Sequence, residues 1–303
     1  MWIALTFTSA LLLGFYDIFK KRSVNDNAIL PVLFFSTMIS ALIFLPFIFI
    51  SHLHPEWFLN GYITSNFYVE PITSRQHLLI MGKTLMILLS WMCSYTAMKY
   101  LPITIVGPVN QLRPSISLVL MLLVFHNPLN AWQWIGIVLA IVSFYLMGRS
   151  GKLEGIRFES NKWVYMLLAS AVLIAVSGIY DKFLLSGEDM APVTIQAWYT
   201  IYEFLFMIVF VLILWYPIRK THPFEMRWAI VIMAVFLSLA DCIYLSGLKQ
   251  EDVVMALVPL ILNGVRLVLS FFYGALLFHE KNIKSKIVPL TMIIVALILF
   301  CIK

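Results

Sequence analysis

Charged residues are scarce in this sequence, and cysteine is nearly absent. Of its 303 residues only 12% are charged, whereas an ordinary soluble domain has about 25%. So few charges cannot form a water-facing surface, which excludes the soluble globular class. The 3 cysteines all lie in apolar runs, which excludes a disulfide framework. Their spacing fits no metal site. We therefore expect neither a metal nor a cofactor.

Most of the sequence consists of long apolar runs. Apolar residues make up 62% of the chain and the mean hydropathy is +0.93, so most of the protein must face lipid. A membrane-spanning helix needs about 20 apolar residues. The sequence predicts an all-α integral membrane protein of about ten transmembrane helices. These predicted helices occupy residues 1–19, 29–50, 77–98, 103–124, 131–147, 163–185, 192–215, 228–248, 253–278 and 287–302.

Two polar motifs occur twice and indicate an internal duplication. The motif GFYDIF at 14–19 recurs as GIYDKF at 178–183. A second set of polar residues in the fourth span recurs, with the same spacing, in the ninth. Shared polar residues inside membrane spans are informative because they are rare there. We predict an N-terminal five-helix repeat at 1–148, a cytoplasmic linker at 149–162 and a C-terminal five-helix repeat at 163–303.

The loop charges predict that the two repeats are inverted. Each repeat has an odd number of spans, so the second half should enter the membrane upside down relative to the first. The first loop is basic (Lys20, Lys21, Arg22), and its counterpart SGED at 186–189 is acidic. Lys and Arg collect on the cytoplasmic side of a membrane. The linker is therefore expected to be cytoplasmic and both termini outside, in a multi-pass protein of the inner or plasma membrane.

This layout resembles the drug/metabolite transporter superfamily, in particular its ten-span EamA-type members. The resemblance is carried by the two five-span halves and by a short junction late in each half. In the second half the junction is GALLFHEK at 274–281, similar to the family's turn before the last span. Asn127 stands where the first half should carry the acid. The resemblance implies alternating-access transport, commonly export of metabolites or drugs, without naming a substrate.

Two polar stripes form the predicted substrate site. An arginine in the middle of an apolar span is costly and is functional by default. The asparagine, arginine and serine of each stripe are spaced i, i+3 and i+7, so they share one helix face. The stripes are Asn110, Arg113 and Ser117 in the first half, and Asn263, Arg266 and Ser270 in the second. We predict that both guanidinium groups bind an anionic cargo; the alternative is that an internal acid neutralises each arginine and fixes helix packing.

Two internal acids, Glu203 and Asp241, are the candidates for proton coupling. A carboxyl group in a low-dielectric medium favours its neutral form, so it can take up a proton near neutral pH. The alternative is that Glu203 or Asp241 simply pairs with Arg266 or Arg113, and the two roles are compatible.

Five further residues in the spans carry polar side chains. The Tyr-Asp pairs, Tyr16 with Asp17 and Tyr180 with Asp181, lie near predicted span ends and are interpreted as structural or gating. Lys83 is expected to line an outer vestibule or to extend to the lipid headgroups.

The sequence favours a secondary transporter over an enzyme. Its expected cargo is a small anionic or zwitterionic metabolite, and proton coupling is compatible with the two acids. The alternative is a membrane-embedded enzyme or flippase acting on a lipid-linked anionic substrate, but no motif for metal-assisted or nucleophilic catalysis is present. The expected partners are a small-molecule substrate and membrane lipids, and nucleic acid is not an expected partner. The sequence is compatible with a homodimer.

Overall fold

The chain folds into helices over nearly its whole length. The computed structural model describes residues 1–24, 27–59, 64–100, 103–126, 129–149, 162–277 and 283–302, and these ranges contain helices and no strand. The helices are α1 (Trp2–Val24), α2 (Ile29–Leu53), the short α3 (Glu56–Leu59), α4 (Ser74–Tyr100), α5 (Ile103–Phe125), α6 (Ala131–Arg149), α7 (Lys162–Lys182), α8 (Pro192–Phe210), α9 (Trp228–Lys249), α10 (Val258–Leu277) and α11 (Ile283–Phe300).

The long helices correspond one by one to the predicted spans, so the all-α membrane fold is confirmed. Within the described ranges, six helices are long and apolar enough to cross a bilayer: α1, α2, α4, α7, α8 and α9. The other four, α5, α6, α10 and α11, contain shorter apolar stretches. Large apolar side chains lie on the outer faces of these helices, as a lipid environment requires, among them Leu42, Phe49, Val209, Leu239 and Ile298.

The helix ends differ from the predicted span ends where polar residues continue a helix. α1 runs on to Val24, past the predicted end at residue 19. The Ser23 hydroxyl donates to the Phe19 carbonyl at 2.8 Å inside this extension. Leaving the apolar layer does not end a helix, because its backbone hydrogen bonds are satisfied internally in water as well. In contrast, α10 begins only at Val258, after a buried turn over residues 253–257.

The chain divides into two compact units, and each contains helices from both sequence halves. Unit 1 comprises Met1–Leu11, Met86–Tyr180 and Asp252–Lys303; unit 2 comprises Leu12–Leu85 and Asp181–Glu251. In unit 1, α5 packs on α10 and α6 on α11; in unit 2, α2 packs on α8. Each of these pairs joins a helix to its repeat equivalent. The two predicted repeats are thus interleaved within the compact units.

In unit 1, α6 and α11 approach closely through a small residue. A Cβ placed on Gly136 would lie 2.8 Å from Phe300 Cε1 and 3.2 Å from the Ala296 carbonyl oxygen. The Ser143 hydroxyl donates to the Pro289 carbonyl across the same pair of helices. Small residues that let backbones approach are a usual means of helix packing in membranes.

In unit 2, the core lies between α1, α2, α8 and α9. Tyr16, Val32, Ile230 and Met233 form one buried cluster. The Ser238 hydroxyl on α9 donates to the Ser40 hydroxyl on α2 at 2.9 Å. These contacts join α1 and α2 to α9, which carries one of the acids described next.

Candidate functional site

A buried ion pair joins α4 to the end of α7 in unit 2. Lys83 Nζ lies 2.6 Å from Asp181 Oδ1, and the two residues are only 3% and 5% exposed. Lys83 therefore neither extends to the headgroups nor lines an open vestibule, and the structural or gating role of Asp181 stays a prediction. Removing an ammonium from water costs several kcal/mol, so an acid in direct contact is what makes this burial tolerable.

Glu203 lies beside this pair and is held by a tyrosine one turn earlier in α8. The Tyr199 hydroxyl donates to Glu203 Oε1 at 2.8 Å, and Glu203 is 2% exposed. The i, i+4 spacing places both side chains on one helix face. Lys83 Nζ lies 4.7 Å from the centroid of the Tyr199 ring. The tyrosine thus contacts the ion pair with its ring and Glu203 with its hydroxyl.

Asp241 on α9 completes the group of acids. Its carboxylate is within electrostatic range of both Glu203 and Tyr199, and the residue is half-buried. We name Lys83, Asp181, Tyr199, Glu203 and Asp241 the buried charge cluster. It lies wholly in unit 2. Both acids predicted for proton coupling are therefore in one place, with the acid of a predicted gating pair beside them.

The cluster is placed by local features of four helices. α8 begins with Pro192 at its first turn, where the missing N–H costs no hydrogen bond. Asp181 is the penultimate residue of α7, and a π-helical turn over Phe183–Gly187 follows it. α4 and α9 supply Lys83 and Asp241 from within apolar runs, and the Lys83 side chain is almost fully buried.

The two predicted stripes lie on helices of unit 1. α5 and α10 pack against each other, so the structure brings the two helices of the predicted site together. Arg266 is half-buried, Ser117 is buried, and the Asn263 amide donates to the Pro259 carbonyl at 2.7 Å. The side chains of Asn110, Arg113 and Ser270 lie outside the described part of the structure. The meeting of the two arginines stays a prediction.

The first Tyr-Asp pair lies farther from a helix end than the sequence predicted. Because α1 extends to Val24, Tyr16 and Asp17 are two turns inside it. Tyr16 is buried in the core of unit 2, and Lys20 Nζ lies 5.4 Å from the centroid of its ring. Asp17 is half-buried, as is Tyr180 on α7. Tyr16 packs in the core of unit 2, and a structural or gating role for Tyr16, Asp17 and Tyr180 stays a prediction.

A pair of lysines, which sequence reasoning missed, ties the ends of α7 and α9 together. Lys182 Nζ donates to the Leu248 carbonyl at 2.7 Å, and Lys249 Nζ donates to the Leu185 carbonyl at 3.1 Å. Each lysine thus caps carbonyl groups that have no partner within their own helix. Lys249 also donates to Asp189 at 2.5 Å, and this hydrogen bond lowers the pKa of the Asp189 carboxyl. The acidic loop at 186–189 was the feature of the sequence that could have indicated a lysine contact here.

An aromatic contact lies near the start of α4. His77 Nδ1 and the Tyr202 hydroxyl are 2.7 Å apart, and the His77 ring meets the Trp198 ring edge to face at 4.6 Å between centroids. Across the described residues, no group of three His, Cys, Asp or Glu side chains could hold a metal ion.

Two interleaved repeats of membrane helices with buried charges are typical of polytopic transporters. A profile of the EamA-like transporter family matches residues 1–149 and 161–302. The chain belongs to the EamA-like transporter family, and it is a membrane transporter of the drug/metabolite type. The resemblance read from the sequence is confirmed. The linker residues 150–161, Asn127 and Glu280 lie outside the described residues.

Solved structures support the fold independently. One crystal structure of a protein aligns with a TM-score of 0.70 over 99% of this chain and 96% of its own, at 14% sequence identity. At that identity the likeness shows the fold alone. A search of the curated proteins finds no match to this chain.

Proposed function

We propose that this chain is a secondary active transporter that moves a small anionic or zwitterionic metabolite by alternating access, with Glu203 carrying the coupled proton. The observation that carries the proposal is the burial of Glu203 beside a second acid and an occupied ion pair. Lys83 already neutralises Asp181 at 2.6 Å. A further ionised carboxylate at Glu203 would have to share the single ammonium group of Lys83, which is in electrostatic range of Glu203 but in direct contact with Asp181. Proton uptake by Glu203 is the simplest way to remove the excess charge.

The surroundings of Glu203 support a carboxyl group that changes state. The Tyr199 hydroxyl donates to its Oε1 at 2.8 Å, and a hydroxyl can donate to either form of the acid. Asp241 supplies a second acid within electrostatic range. In a cycle, deprotonation toward one side of the membrane and protonation from the other would couple the proton gradient to cargo movement.

The cargo contact is proposed for the stripes in unit 1. Arg266 is half-buried on α10, the helix that packs on α5, where Arg113 lies. A guanidinium group favours bidentate contact with a carboxylate or phosphate. This supports an anionic group on the cargo. We further propose that the protein resides in the inner or plasma membrane and forms a homodimer.

Proton-driven transport in membrane vesicles tests the coupling. A pH gradient is imposed across the membrane of everted vesicles, and a fluorescent amine dye reports any loss of this gradient. Amino acids and carboxylic acids are then added one at a time. We expect at least one compound to dissipate the gradient with the wild-type chain and not with Glu203→Gln. Glu251→Gln, which alters an exposed acid, is the matched control. Equal dissipation by wild type and Glu203→Gln, or none by wild type, would contradict the proposal.

A further inference from the structure

One end of unit 2 contains two basic segments that lie far apart in the sequence. Residues 20–27 lead from α1 into α2, and residues 216–227 lead from α8 into α9. Together the two segments contain six Lys or Arg residues and two Asp or Glu residues. All four helices are long and apolar enough to cross a bilayer, so this end of unit 2 lies at the level of the lipid headgroups.

Hydrogen bonds join the two segments to each other. The Asn27 amide donates to the Glu225 carbonyl at 2.8 Å, and the Glu225 N–H donates to Asn27 Oδ1 at 3.0 Å. The Arg227 guanidinium donates to the Arg22 carbonyl at 3.3 Å. All of these residues belong to unit 2. The fold therefore brings the basic end of α1 against the basic segment before α9.

We name four basic residues of these segments the basic surface: Lys20, Arg22, Lys220 and Arg227. The side chains of Arg22 and Lys220 are exposed, and those of Lys20 and Arg227 are partly exposed. Glu225 forms an ion pair with Arg227 at 2.9 Å, and Asp17 lies one turn before Lys20 in α1. These two acids are fewer than the four cations, so the basic surface keeps a net positive charge.

Exposed apolar and aromatic side chains border the basic surface. Trp228 follows Arg227 at the start of α9 and is 83% exposed. Tyr216, Ile218 and Met226 are exposed in the neighbouring segment. Trp and Tyr side chains collect at the boundary between lipid and water, where one part of the ring meets acyl chains and the polar atom meets headgroups. Cations beside such side chains match a phospholipid, which has a phosphate next to its acyl chains.

The opposite end of unit 2 has a different electrostatic character. The span Pro192–Ile218 begins just after Glu188 and ends just before Lys220, so these two residues lie at opposite ends of the unit. Near Glu188 the cations are paired with acids. Arg75 lies 2.7 Å from Glu188, and Lys249 Nζ lies 2.5 Å from Asp189 Oδ1. The excess of positive charge is therefore confined to one end of unit 2.

We propose that the basic surface binds the headgroup phosphate of an anionic phospholipid, with Trp228 at the boundary with its acyl chains. The orientation of a membrane protein requires only that basic residues lie on one side during insertion. Here two distant segments are joined into one surface, and clusters of about four to eight Lys or Arg residues beside membrane helices recognise anionic headgroups. This binding depends neither on the cargo nor on proton coupling.

Native mass spectrometry of the purified full-length chain in neutral detergent measures lipid binding directly. The probes are phosphatidylglycerol and phosphatidylcholine with the same acyl chains, titrated at several ammonium acetate concentrations. We expect phosphatidylglycerol to bind at least about fivefold more tightly, the contribution of one basic residue near an anionic lipid surface. This preference should fall as the salt concentration rises. Thermal unfolding distinguishes a lipid from a free anion: phosphatidylglycerol should stabilise the chain, and inorganic phosphate should not.

Variants connect the lipid preference to the basic surface. Arg22→Gln combined with Lys220→Gln should weaken phosphatidylglycerol binding about fivefold for each charge removed and leave phosphatidylcholine binding unchanged. Arg22→Lys combined with Lys220→Arg keeps both charges and should keep the preference. Both positions are exposed, and Arg227, which joins the two segments, is left intact so that the variants fold.

The matched control is Arg75→Gln, which removes an exposed cation at the opposite end of unit 2. An exposed ion pair contributes little to stability, so this variant should fold and bind both lipids as the wild type does. Four results would each overturn the inference: equal binding of the two lipids, no bound lipid, equal stabilisation by inorganic phosphate, or a wild-type preference in the Arg22→Gln, Lys220→Gln variant. An equal loss of preference in Arg75→Gln would also overturn it.

Discussion

Lys83 on α4 and Asp181 at the end of α7 form an ion pair of 2.6 Å in which both residues are almost without solvent exposure. The residues are far apart in sequence, so the contact fixes two helices at one point. A buried pair contributes little net stability when compared with apolar residues of the same size, but losing one partner leaves a buried charge without compensation. The pair therefore makes the fold sensitive to single substitutions at either position.

Single substitutions in this pair should destabilise the chain more than the double substitution does. Lys83→Met alone or Asp181→Leu alone leaves one buried charge unpaired, which costs about 3–5 kcal/mol. Lys83→Met combined with Asp181→Leu removes both charges and should recover much of that loss. Thermal unfolding in detergent, followed by tryptophan fluorescence, measures the order. A double variant less stable than both single variants would contradict this account of the pair.

Asp189 should titrate at a lower pH than an ordinary aspartate. The hydrogen bond from Lys249 lowers the pKa of its carboxyl from the usual value of about 3.9. Because the folded pKa is the lower one, the contact stabilises the fold above the unfolded pKa and loses that effect as pH falls through the folded pKa. Carbon NMR of aspartate-labelled protein, assigned with Asp189→Asn, measures the titration.

The matched control for Asp189 is Lys249→Met. It removes the donor and should return the Asp189 pKa toward the usual value. Because the carboxylate is exposed, high salt screens the contact and should also raise the Asp189 pKa toward the usual value. A titration of Asp189 that is indifferent to both changes would show that Lys249 does not hold it.

The helices could be predicted from the sequence because a bilayer imposes one simple constraint on each. A run of apolar residues of the right length must be helical, since the backbone has no water to bond. Each predicted span therefore corresponds to a helix, and the errors are confined to ends such as Val24 and Val258. The Lys83–Asp181 pair could not be predicted in this way. It depends on which helices are neighbours and how each is rotated, and hydropathy records neither.

Part of the charged site was nevertheless readable in the sequence. Glu203 and Asp241 were predicted as internal acids because ionisable residues in spans are rare. The contact of Tyr199 with Glu203 was not predicted, although their i, i+4 spacing places both side chains on one helix face. Lys83 was misplaced because lysines near span ends usually extend to the headgroups. Lys83 is an exception because Asp181, on another helix, pairs with its ammonium group.

Arg266 and Arg113 should control the affinity for the anionic end of the cargo. Arg266→Gln or Arg113→Gln removes charge-assisted hydrogen bonds and should raise the Kd of the transported metabolite about tenfold or more. Arg266→Lys keeps the charge but loses the planar fork, so it should recover only part of the affinity. The Kd is measured by calorimetry with the metabolite that wild-type vesicles transport.

The control for the arginines is Arg219→Gln. Arg219 is exposed and its guanidinium lies 3.8 Å from the centroid of the Tyr216 ring, outside both stripes, so its loss should leave the Kd unchanged. Folded Arg266→Gln and Arg113→Gln variants with wild-type Kd would remove the stripes from the substrate site.

Gly136 should be irreplaceable even by alanine, because α6 and α11 are in contact there. A Cβ at this position would lie 2.8 Å from Phe300 Cε1 and 3.2 Å from the Ala296 carbonyl oxygen. Alanine favours a helix over glycine by about 1 kcal/mol, but overpacking costs about 1–3 kcal/mol, and Phe300 is fully buried. We expect Gly136→Ala to lower the unfolding temperature. Adding Phe300→Leu should relieve the overlap and restore part of the loss; if Gly136→Ala alone stabilises the chain, the two helices are not in the close contact that the structure shows.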